Sequence, residues 1–463
     1  MKVVVTRYVF IHKMKDRYLL LNSLTGAVDI VEERMIDAIR EIRDGHPHSL
    51  SHTEVAFLME RGYLYRELSD EEAVVNRLVE WSANHAREHS PITFIFCPTM
   101  ACNLRCPYCF EPHKMHENSQ VMTLEQVDFA FAAMDSIREQ RADLPRASFN
   151  LFGGEPLLPT SKHVVERIML KAEDRGLVGS VTTNGTFIDE YIDILFPYRQ
   201  NLIFQITIDG TKEMHDKRRI TAGGKGTFDK ITQNITLYLE KGFTIEIRMN
   251  LNEENVDIIP EFLTIIDQFG WNHYPNFSVA LSPVTNYTGF GGDGLLPPHQ
   301  IEDRIRMKVA PHLLNKFRVQ LNGDFARLNL PISKVLGESL MPGEHMPSLH
   351  YCEASGGRFY VFAPDNLVYP CNQIIGDSSW AIGQYYPELS IDEQAAALWE
   401  KRNVTQMSQC SGCSIAFLCS GGCPVMAKRA YGSPMASYCG TSKQELHDYI
   451  DSVADKIMQA VEE

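Results

Sequence analysis

Three cysteines in one short stretch limit the chemistry of this chain more than any other feature. Cys102, Cys106 and Cys109 have CxxxCxxC spacing, and Tyr108 directly precedes the third cysteine. A cubane [4Fe–4S] cluster usually takes four thiolates, so three thiolates on one loop leave one iron open to a ligand. The alternative is a zinc knuckle, but zinc sites favour paired CxxC units and a fourth ligand that closes the tetrahedron. The next cysteine is Cys352, so the spacing favours an iron–sulfur cluster.

The composition predicts a soluble protein of the reducing cytoplasm. The chain has 463 residues, enough for about three domains, and 44% of them are hydrophobic. Its net charge of −15 argues against a nucleic-acid partner held on a basic face. No apolar run is long enough for a membrane span, and the amino terminus lacks the apolar core of a signal peptide. Eleven cysteines in a chain without an export signal indicate metal ligation rather than disulfide bonds.

Residues 1–90 have the pattern of a small separate domain. Short alternating strands make a β-meander, with Gly26 where the turn needs a positive φ, and amphipathic helices follow. The predicted strands lie at 3–12, 18–22 and 27–31, and the predicted helices lie at 35–42, 50–61 and 69–89. Short strands mixed with helices over this length suggest a winged-helix-like module.

Residues 91–320 alternate apolar strands with amphipathic helices, which predicts a parallel α/β sheet. The predicted strands lie at 93–97, 147–152, 179–183, 202–208, 244–250 and 276–281. Gly153, Gly154 and Glu155 follow the second strand, Asn184 follows the third, and Thr207 lies near the end of the fourth. Two glycines allow the main chain to approach a ligand closely. Because the carboxyl ends of parallel strands meet at one edge, these residues form a candidate site there.

Together, the cysteine spacing and the phrase Phe152-Gly153-Gly154-Glu155-Pro156 resemble the radical S-adenosylmethionine (SAM) enzymes. The resemblance implies a partial (β/α)6 TIM-type barrel and a [4Fe–4S] cluster on the three cysteines, whose open iron SAM chelates. The SAM-binding residues that it implies are Tyr108, Gly153, Gly154, Glu155, Asn184, Thr207, Arg248 and Leu281. In that set, Glu155 holds the amino group, and Arg248 with Thr207 holds the carboxylate. Leu281 lies beside adenine or belongs to the plain core.

A second group of cysteines lies in the last third of the chain: Cys352, Cys371, Cys410, Cys413, Cys419, Cys423 and Cys439. Their order resembles the SPASM extension of radical SAM enzymes, so we expect residues 321–463 to hold a bridging region and two auxiliary [4Fe–4S] clusters, three clusters in all. The resemblance assigns the distal cluster to Cys410, Cys413, Cys419 and Cys439, and the proximal cluster to Cys352, Cys371 and Cys423. Two zinc ribbons are the alternative. The family has Gly where this chain has Asn366, which also tolerates a left-handed turn.

The domain order most resembles the thioether-forming maturases of ribosomal peptides, the sactipeptide and ranthipeptide synthases. The resemblance implies that a 5′-deoxyadenosyl radical removes a hydrogen from a carbon of a precursor peptide, to which a peptide cysteine sulfur then bonds. Residues 1–90 are then expected to bind the leader of this cysteine-containing peptide by strand addition. A flavodoxin or a ferredoxin is the expected electron donor.

Other functions stay open on the sequence alone. The same scaffold supports carbon–carbon crosslinking, epimerisation and sulfatase maturation. Sulfatase-maturing relatives carry an Asp base where this chain has Asn372, which cannot accept a proton in that way. A non-catalytic iron–sulfur electron carrier or leader-binding scaffold belongs to another class, but that role gives Gly153, Glu155 and Arg248 no task.

Overall fold

The chain divides into two compact units. In a computed structural model, residues 2–111, 120–287, 294–321, 328, 330–337, 347–440 and 442–462 are described. Unit 1 consists of Met1–Ala86, Ala326–Gly356 and Lys401–Glu463, and unit 2 consists of Arg87–Phe325 and Gly357–Glu400. Of the helices in the described segments, none combines the length and the apolarity that crossing a bilayer requires. The domain limits expected near residues 90 and 320 stay a prediction.

The elements alternate along most of the chain. The strands are β1 Val4–Val5, β2 Val9–Met14, β3 Arg17–Asn22, β4 Val28–Glu32, β5 Leu64–Tyr65, β6 Ile92–Phe96, β7 Ala147–Leu151, β8 Val178–Thr183, β9 Leu202–Thr207, β10 Thr244–Leu251, β11 Phe277–Pro283, β12 Val319–Leu321, β13 Phe359–Phe362, β14 Leu367–Tyr369, β15 Gly383–Gln384 and β16 Ser390–Ile391. The helices are α1 Glu33–Arg43, α2 His52–Glu60, α3 Leu68–His89, α4 Leu124–Gln140, α5 Lys162–Glu173, α6 Ile192–Leu195, α7 Lys212–Arg218, α8 Phe228–Glu240, α9 Ile259–Gln268, α10 Pro298–Lys308, α11 Pro311–Lys316, α12 Leu330–Val335, α13 Glu393–Glu400, α14 Ala416–Cys419, α15 Pro424–Tyr431 and α16 Ser442–Glu462.

Unit 2 is built on one sheet with the strand order β12-β11-β10-β9-β8-β7-β6-β13-β14-β15-β16. Strands β6 to β11 are neighbours in chain order and pair in parallel, with helices in the connections between them. The six strands predicted from the sequence are present, and each end lies within two residues of its predicted position. The predicted α/β class is therefore confirmed, while closure into a partial barrel stays a prediction.

The two faces of the parallel sheet differ in chemistry. On β10, Ile245 and Ile247 are fully buried, whereas Glu246, Arg248 and Asn250 between and after them are half-buried and polar. Because side chains alternate along a strand, the polar residues share one face. The same alternation continues across the sheet, and the face collects these residues around one cavity: Thr93, Asn150, Ser180, Thr182, Gln205, Thr207, Arg248, Asn250 and Ser282.

A hairpin extends this sheet beyond β6. Strand β13 pairs in parallel with β6 and antiparallel with β14. The turn between β13 and β14 has Asn366 at φ 75°, the left-handed conformation that the sequence predicts there. The Asn366 side chain accepts a 2.5 Å hydrogen bond from Gln126 Nε2, which also donates to Pro364 O. The turn is therefore fixed to the start of α4.

Unit 1 contains the predicted meander, a sheet with the order β2-β3-β4 and antiparallel pairing. One face packs on α1 and α2 through residues such as Leu20 and Ile39. Residues Phe10, Leu19 and Leu21 belong instead to a core that includes Leu446 of α16. The amino-terminal sheet thus shares a core with the carboxy-terminal helix, and its winged-helix-like character stays a prediction.

The left-handed turn gives a test by substitution. We expect Asn366→Ala to lower the free energy of unfolding by about 1–3 kcal/mol, because it forces alanine into a left-handed conformation and removes the acceptor for Gln126. Asn366→Gly removes the same acceptor but adopts this φ freely, so its loss is expected to be smaller. Urea denaturation measures both, and an equal loss in the two variants would contradict the backbone argument.

Candidate active site

A cavity of about 450 Å³ opens at the carboxyl ends of the parallel strands in unit 2. Nearly every cofactor-binding residue predicted for this region lines it: Cys102, Cys106, Tyr108, Cys109, Gly153, Gly154, Glu155, Asn184, Thr207 and Arg248. Leu281 is the exception. It is fully buried on β11, and the next residues, Ser282 and Pro283, line the cavity in its place.

The loop that carries the three cysteines is held from the β9 side by main-chain hydrogen bonds. Arg105 N donates to Ile220 O at 2.8 Å, and Ala222 N donates to Asn103 O at 3.0 Å. These bonds cross the middle of the CxxxCxxC stretch, between the first and second cysteines. The backbone between Cys102 and Cys106 is thus fixed by main-chain hydrogen bonds.

The residues after β7 hold the same loop from the other side. Gly154 N donates to Thr99 O at 3.3 Å, and Glu155 N donates to Ala101 O at 2.8 Å. A Cβ atom on Gly154 would lie 2.3 Å from Met100 O and 2.5 Å from Ala101 O. The missing side chain at Gly154 therefore lets this backbone pack directly against the backbone that leads into the cysteine loop.

Glu155 is buried, and protein donors already occupy both of its carboxylate oxygens. Oε1 accepts from Thr183 Oγ1 at 2.6 Å and from Leu157 N at 3.0 Å, and Oε2 accepts from Asn184 N at 2.6 Å. Burial raises the pKa of Glu155, and these hydrogen bonds oppose the shift. The carboxylate joins the ends of β7 and β8, and its contact with an ammonium group stays a prediction.

Tyr108 lies in a charged network that the sequence reasoning missed. Its hydroxyl donates to Asp209 Oδ2 and accepts a 2.8 Å hydrogen bond from Arg219 Nη1. The guanidinium of Arg218 lies 4.5 Å from the centroid of the Tyr108 ring. Asp209 is fully buried and also accepts a hydrogen bond from Asn250 N, so its carboxylate joins Tyr108 to strand β10. The adjacent arginine pair at the end of α7 was the available signal.

Two arginines at this cavity have no carboxylate partner within hydrogen-bond distance among the described residues. Arg248 donates to Asn250 Oδ1 at 2.8 Å and to Gln205 Oε1 at 3.5 Å, and burial lowers its pKa. Arg219 is 8% exposed, and its Nε is buried without a hydrogen-bond partner. Burial favours the neutral form of Arg219, but Tyr108 and Cys106 together raise its pKa above the ordinary value. The cavity therefore suits an anionic ligand.

The thiols of the cysteine loop are weak acids in the absence of a metal. Burial raises the pKa of Cys102, Cys106 and Cys109, that of Cys109 to about 12. A metal centre must therefore displace their protons on binding. Within the described segments, no three His, Cys, Asp or Glu side chains converge on a single-ion site. A cluster does not need that convergence, because each thiolate binds a different iron.

Four of the carboxy-terminal cysteines line a separate cavity of about 500 Å³ in unit 1. They are the four predicted distal ligands, Cys410, Cys413, Cys419 and Cys439. Burial also raises the pKa of the Cys410 thiol, to about 12. Of the predicted proximal ligands, Cys352 and Cys423 belong to unit 1 and Cys371 belongs to unit 2, and their grouping stays a prediction.

Two amide side chains follow Cys371 and line the cavity of unit 2. Asn372, which the sequence analysis singles out as standing where an Asp base is expected in sulfatase-maturing enzymes, lines this cavity. Gln373 Oε1 is buried without a hydrogen-bond partner in the described part of the chain. Asn372 and Gln373 therefore add two neutral hydrogen-bonding side chains to the cavity.

A known protein family matches the part of the chain that supplies most of the residues lining the cavity. The family profile of the Radical SAM superfamily matches residues 96–265. An uncharacterized protein of Archaeoglobus fulgidus is 26% identical over 406 residues, which are 84% of this chain and 87% of that protein. A serine-type anaerobic sulfatase-maturating enzyme of Bacteroides thetaiotaomicron is 23% identical over 362 residues, 73% of this chain and 84% of that enzyme.

Two solved structures share the fold. Native anSMEcpe with bound AdoMet superposes with a TM-score of 0.56 at 20% identity, covering 80% of this chain and 99% of that one. Streptococcus suis SuiB bound to the precursor peptide SuiA has a TM-score of 0.56 at 15% identity, covering 94% of this chain and 98% of that one. At these identities, the likeness shows the fold alone.

The contact between the glycines and the cysteine loop predicts the effect of a single methyl group. We expect Gly154→Ala to lower the free energy of unfolding by about 1–3 kcal/mol and to reduce iron binding, because its Cβ collides with the carbonyls of Met100 and Ala101. Gly223→Ala is the matched control, since its Cβ would meet only Thr221 Oγ1, at 3.9 Å. Iron analysis after reconstitution and urea denaturation measure both, and wild-type iron content in Gly154→Ala would contradict the argument.

Proposed function

We propose, from the match of residues 96–265 to the Radical SAM superfamily, that the protein is an enzyme that uses SAM to modify a cysteine-containing peptide. The observation that carries the proposal is the convergence of Cys102, Cys106 and Cys109 with Arg248 on one cavity. Three thiolates can hold a [4Fe–4S] cluster and leave one iron open. When bound there, such a cluster supplies the electron that cleaves SAM into methionine and a 5′-deoxyadenosyl radical.

The residues of the cavity fit SAM by charge. SAM carries a carboxylate, and Arg248 offers a guanidinium whose hydrogen-bond partners, Asn250 and Gln205, are neutral. A carboxylate brought to this cation supplies a charge partner that no described residue supplies within hydrogen-bond distance. Thr207 lies beside it, since Arg248 and Thr207 are paired residues of β10 and β9. These two residues are our candidates for the SAM carboxylate.

A peptide substrate is supported by the names of the relatives and by the polar face of the sheet. One relative is a sulfatase-maturating enzyme, and one structural neighbour is bound to a precursor peptide. In this chain, Gln373 Oε1 and the amide of Asn372 offer hydrogen-bonding groups at the cavity. Such groups suit the N–H and C=O groups of an extended peptide.

We favour thioether formation over sulfatase maturation because of one residue. Asn372 lines the cavity, and its amide cannot take up a proton as a carboxylate does. A reaction that uses a base at this position is therefore disfavoured. Joining a thiol to a carbon radical releases one proton and one electron. In the proposed reaction the thiol would lose its proton on binding an auxiliary cluster, and the cluster would accept the electron, so the side chain of Asn372 need not act as a base. Carbon–carbon crosslinking and epimerisation both leave the peptide thiol free, whereas thioether formation consumes it.

The proposal includes two auxiliary clusters and a leader-binding element. The cavity lined by Cys410, Cys413, Cys419 and Cys439 has the four thiols that one closed cubane needs. Cys352, Cys371 and Cys423 are the proposed ligands of the second. For the leader, the amino-terminal sheet ends at β4, which in the described residues pairs only with β3 and leaves an edge for strand addition.

Removing one thiol of the loop tests the cofactor assignment. We expect Cys102→Ala, Cys106→Ala and Cys109→Ala each to reduce the formation of 5′-deoxyadenosine from SAM to background, because only these thiols present the open iron. Cys97→Ala is the matched control: Cys97 is a buried cysteine of the same segment that does not line the cavity. Chromatography of reduced, reconstituted protein gives the measurement, and near wild-type rates in any loop variant would disprove the assignment.

The fate of the peptide cysteine tests the reaction. A cysteine-containing precursor incubated with SAM, reductant and enzyme is expected to lose two hydrogen atoms and to resist thiol alkylation, because its sulfur becomes a thioether. The same peptide with serine in place of cysteine is the control and should gain no crosslink. Tandem mass spectrometry locates the bond. A crosslinked product with a free thiol, or preferential modification of a sulfatase-derived peptide, would contradict thioether formation.

A further inference from the structure

A buried arginine lies among the carboxy-terminal cysteines of unit 1. Arg402 is 0% exposed, and it donates to backbone carbonyls through Nε to Pro434 at 2.5 Å and through Nη2 to Gly421 at 2.8 Å and Ala436 at 3.2 Å. Its Nη1 is buried and has no hydrogen-bond partner among the described residues. Nε and Nη2 of the guanidinium are thus held by the backbone, while the N–H groups of Nη1 are available to a further acceptor.

The charge of Arg402 is not balanced by protein carboxylates. All three acceptors are neutral carbonyls, and no Asp or Glu forms an ion pair with Arg402 in the described part of the chain. A guanidinium withdrawn from water without a counter-charge is strongly destabilising. A protein that retains one at full burial therefore needs an anion beside it in the functional state.

The loops around Arg402 indicate which anion this is. Gly421, whose carbonyl binds Nη2, lies between Cys419 and Cys423, and a Cβ on it would be 3.6 Å from Cys410 Sγ. The carbonyl of Arg402 itself accepts from His350 Nδ1, two residues before Cys352. The segments that contact Arg402 thus carry two predicted ligands from each set: Cys410 and Cys419 of the distal set, and Cys352 and Cys423 of the proximal set.

We propose that Arg402 is the counter-cation of the auxiliary iron–sulfur clusters. Its guanidinium offsets the negative charge of cluster-bound thiolates and stabilises the cluster that has gained an electron, which raises the reduction potential. Arg402 is a positioning residue in this role, since it acts on peptide chemistry only through the clusters. The inference rests on the proposed function, because it requires that these cysteines hold clusters.

The test compares two substitutions that separate charge from hydrogen bonding. Arg402→Met removes the charge, and Arg402→Lys keeps it while losing the planar donor fork. We expect Arg402→Met to shift the one-electron reduction equilibrium of an auxiliary cluster at least tenfold toward the oxidised form, about 59 mV. Arg402→Lys should shift it less. The measurement is a redox titration followed by electron paramagnetic resonance on the full-length, reconstituted protein.

Controls separate this inference from the proposed function. Arg318→Met is the control for loss of an arginine: Arg318 is exposed, and its Nη1 also approaches three backbone carbonyls, which belong to Asn272, Tyr274 and Phe277 rather than to a cysteine segment. Full iron content with unchanged potentials in Arg402→Met would overturn the inference and leave the proposed function intact. Equal shifts in Arg402→Met and Arg402→Lys, or loss of auxiliary iron from both, would show a purely structural role and overturn it too. Wild-type protein that binds no auxiliary iron would refute both.

Discussion

Two main-chain hydrogen bonds hold the reactive loop of this protein in place. They run from Gly154 N to Thr99 O and from Glu155 N to Ala101 O, and they exist only because two residues without side chains let the strands approach. Through its carboxylate, Glu155 extends the same connection to Asn184 at the end of β8. The path of the backbone just before Cys102 therefore depends on the register of the parallel sheet.

Buried positive charge is the second organising feature. Arg248 at the cavity of unit 2 and Arg402 among the carboxy-terminal cysteines form no ion pair with a carboxylate in the described residues, although most buried cations in proteins do. Arg219 adds a third guanidinium, with Tyr108 as its hydrogen-bond partner. Two of the three lie where the proposals above place an anion: a ligand carboxylate at Arg248 and cluster thiolates at Arg402. The fold thus buries positive charges whose proposed partners, SAM and the iron–sulfur clusters, bind to the protein and are not part of its chain.

Much of the parallel sheet is predictable because its signals are local. Apolar strands between amphipathic helices, and glycines directly after a strand, place the residues around Gly153 without knowledge of any distant contact. The packing of Phe10 and Leu21 with Leu446 was not predictable, since residues more than four hundred positions apart in the chain leave no mark on a local pattern. The role of Leu281 stayed open between ligand contact and core for a related reason: the period of two places it on the strand but does not say which face meets the ligand. Arg219 was missed because a basic pair at the end of a helix usually faces solvent.

The division of the sheet into an apolar face and a polar face bears on how such a protein can change over time. Residues such as Ile245 and Ile247 supply the packing that keeps the chain folded, while Gln205, Arg248 and Asn250 on the other face add little to that packing. Replacements on the polar face alter what the cavity accepts at a small cost in stability. Selection for substrate specificity and selection for stability therefore act on alternate residues of the same strands. The residues that contact the ligand can change while the apolar core stays the same.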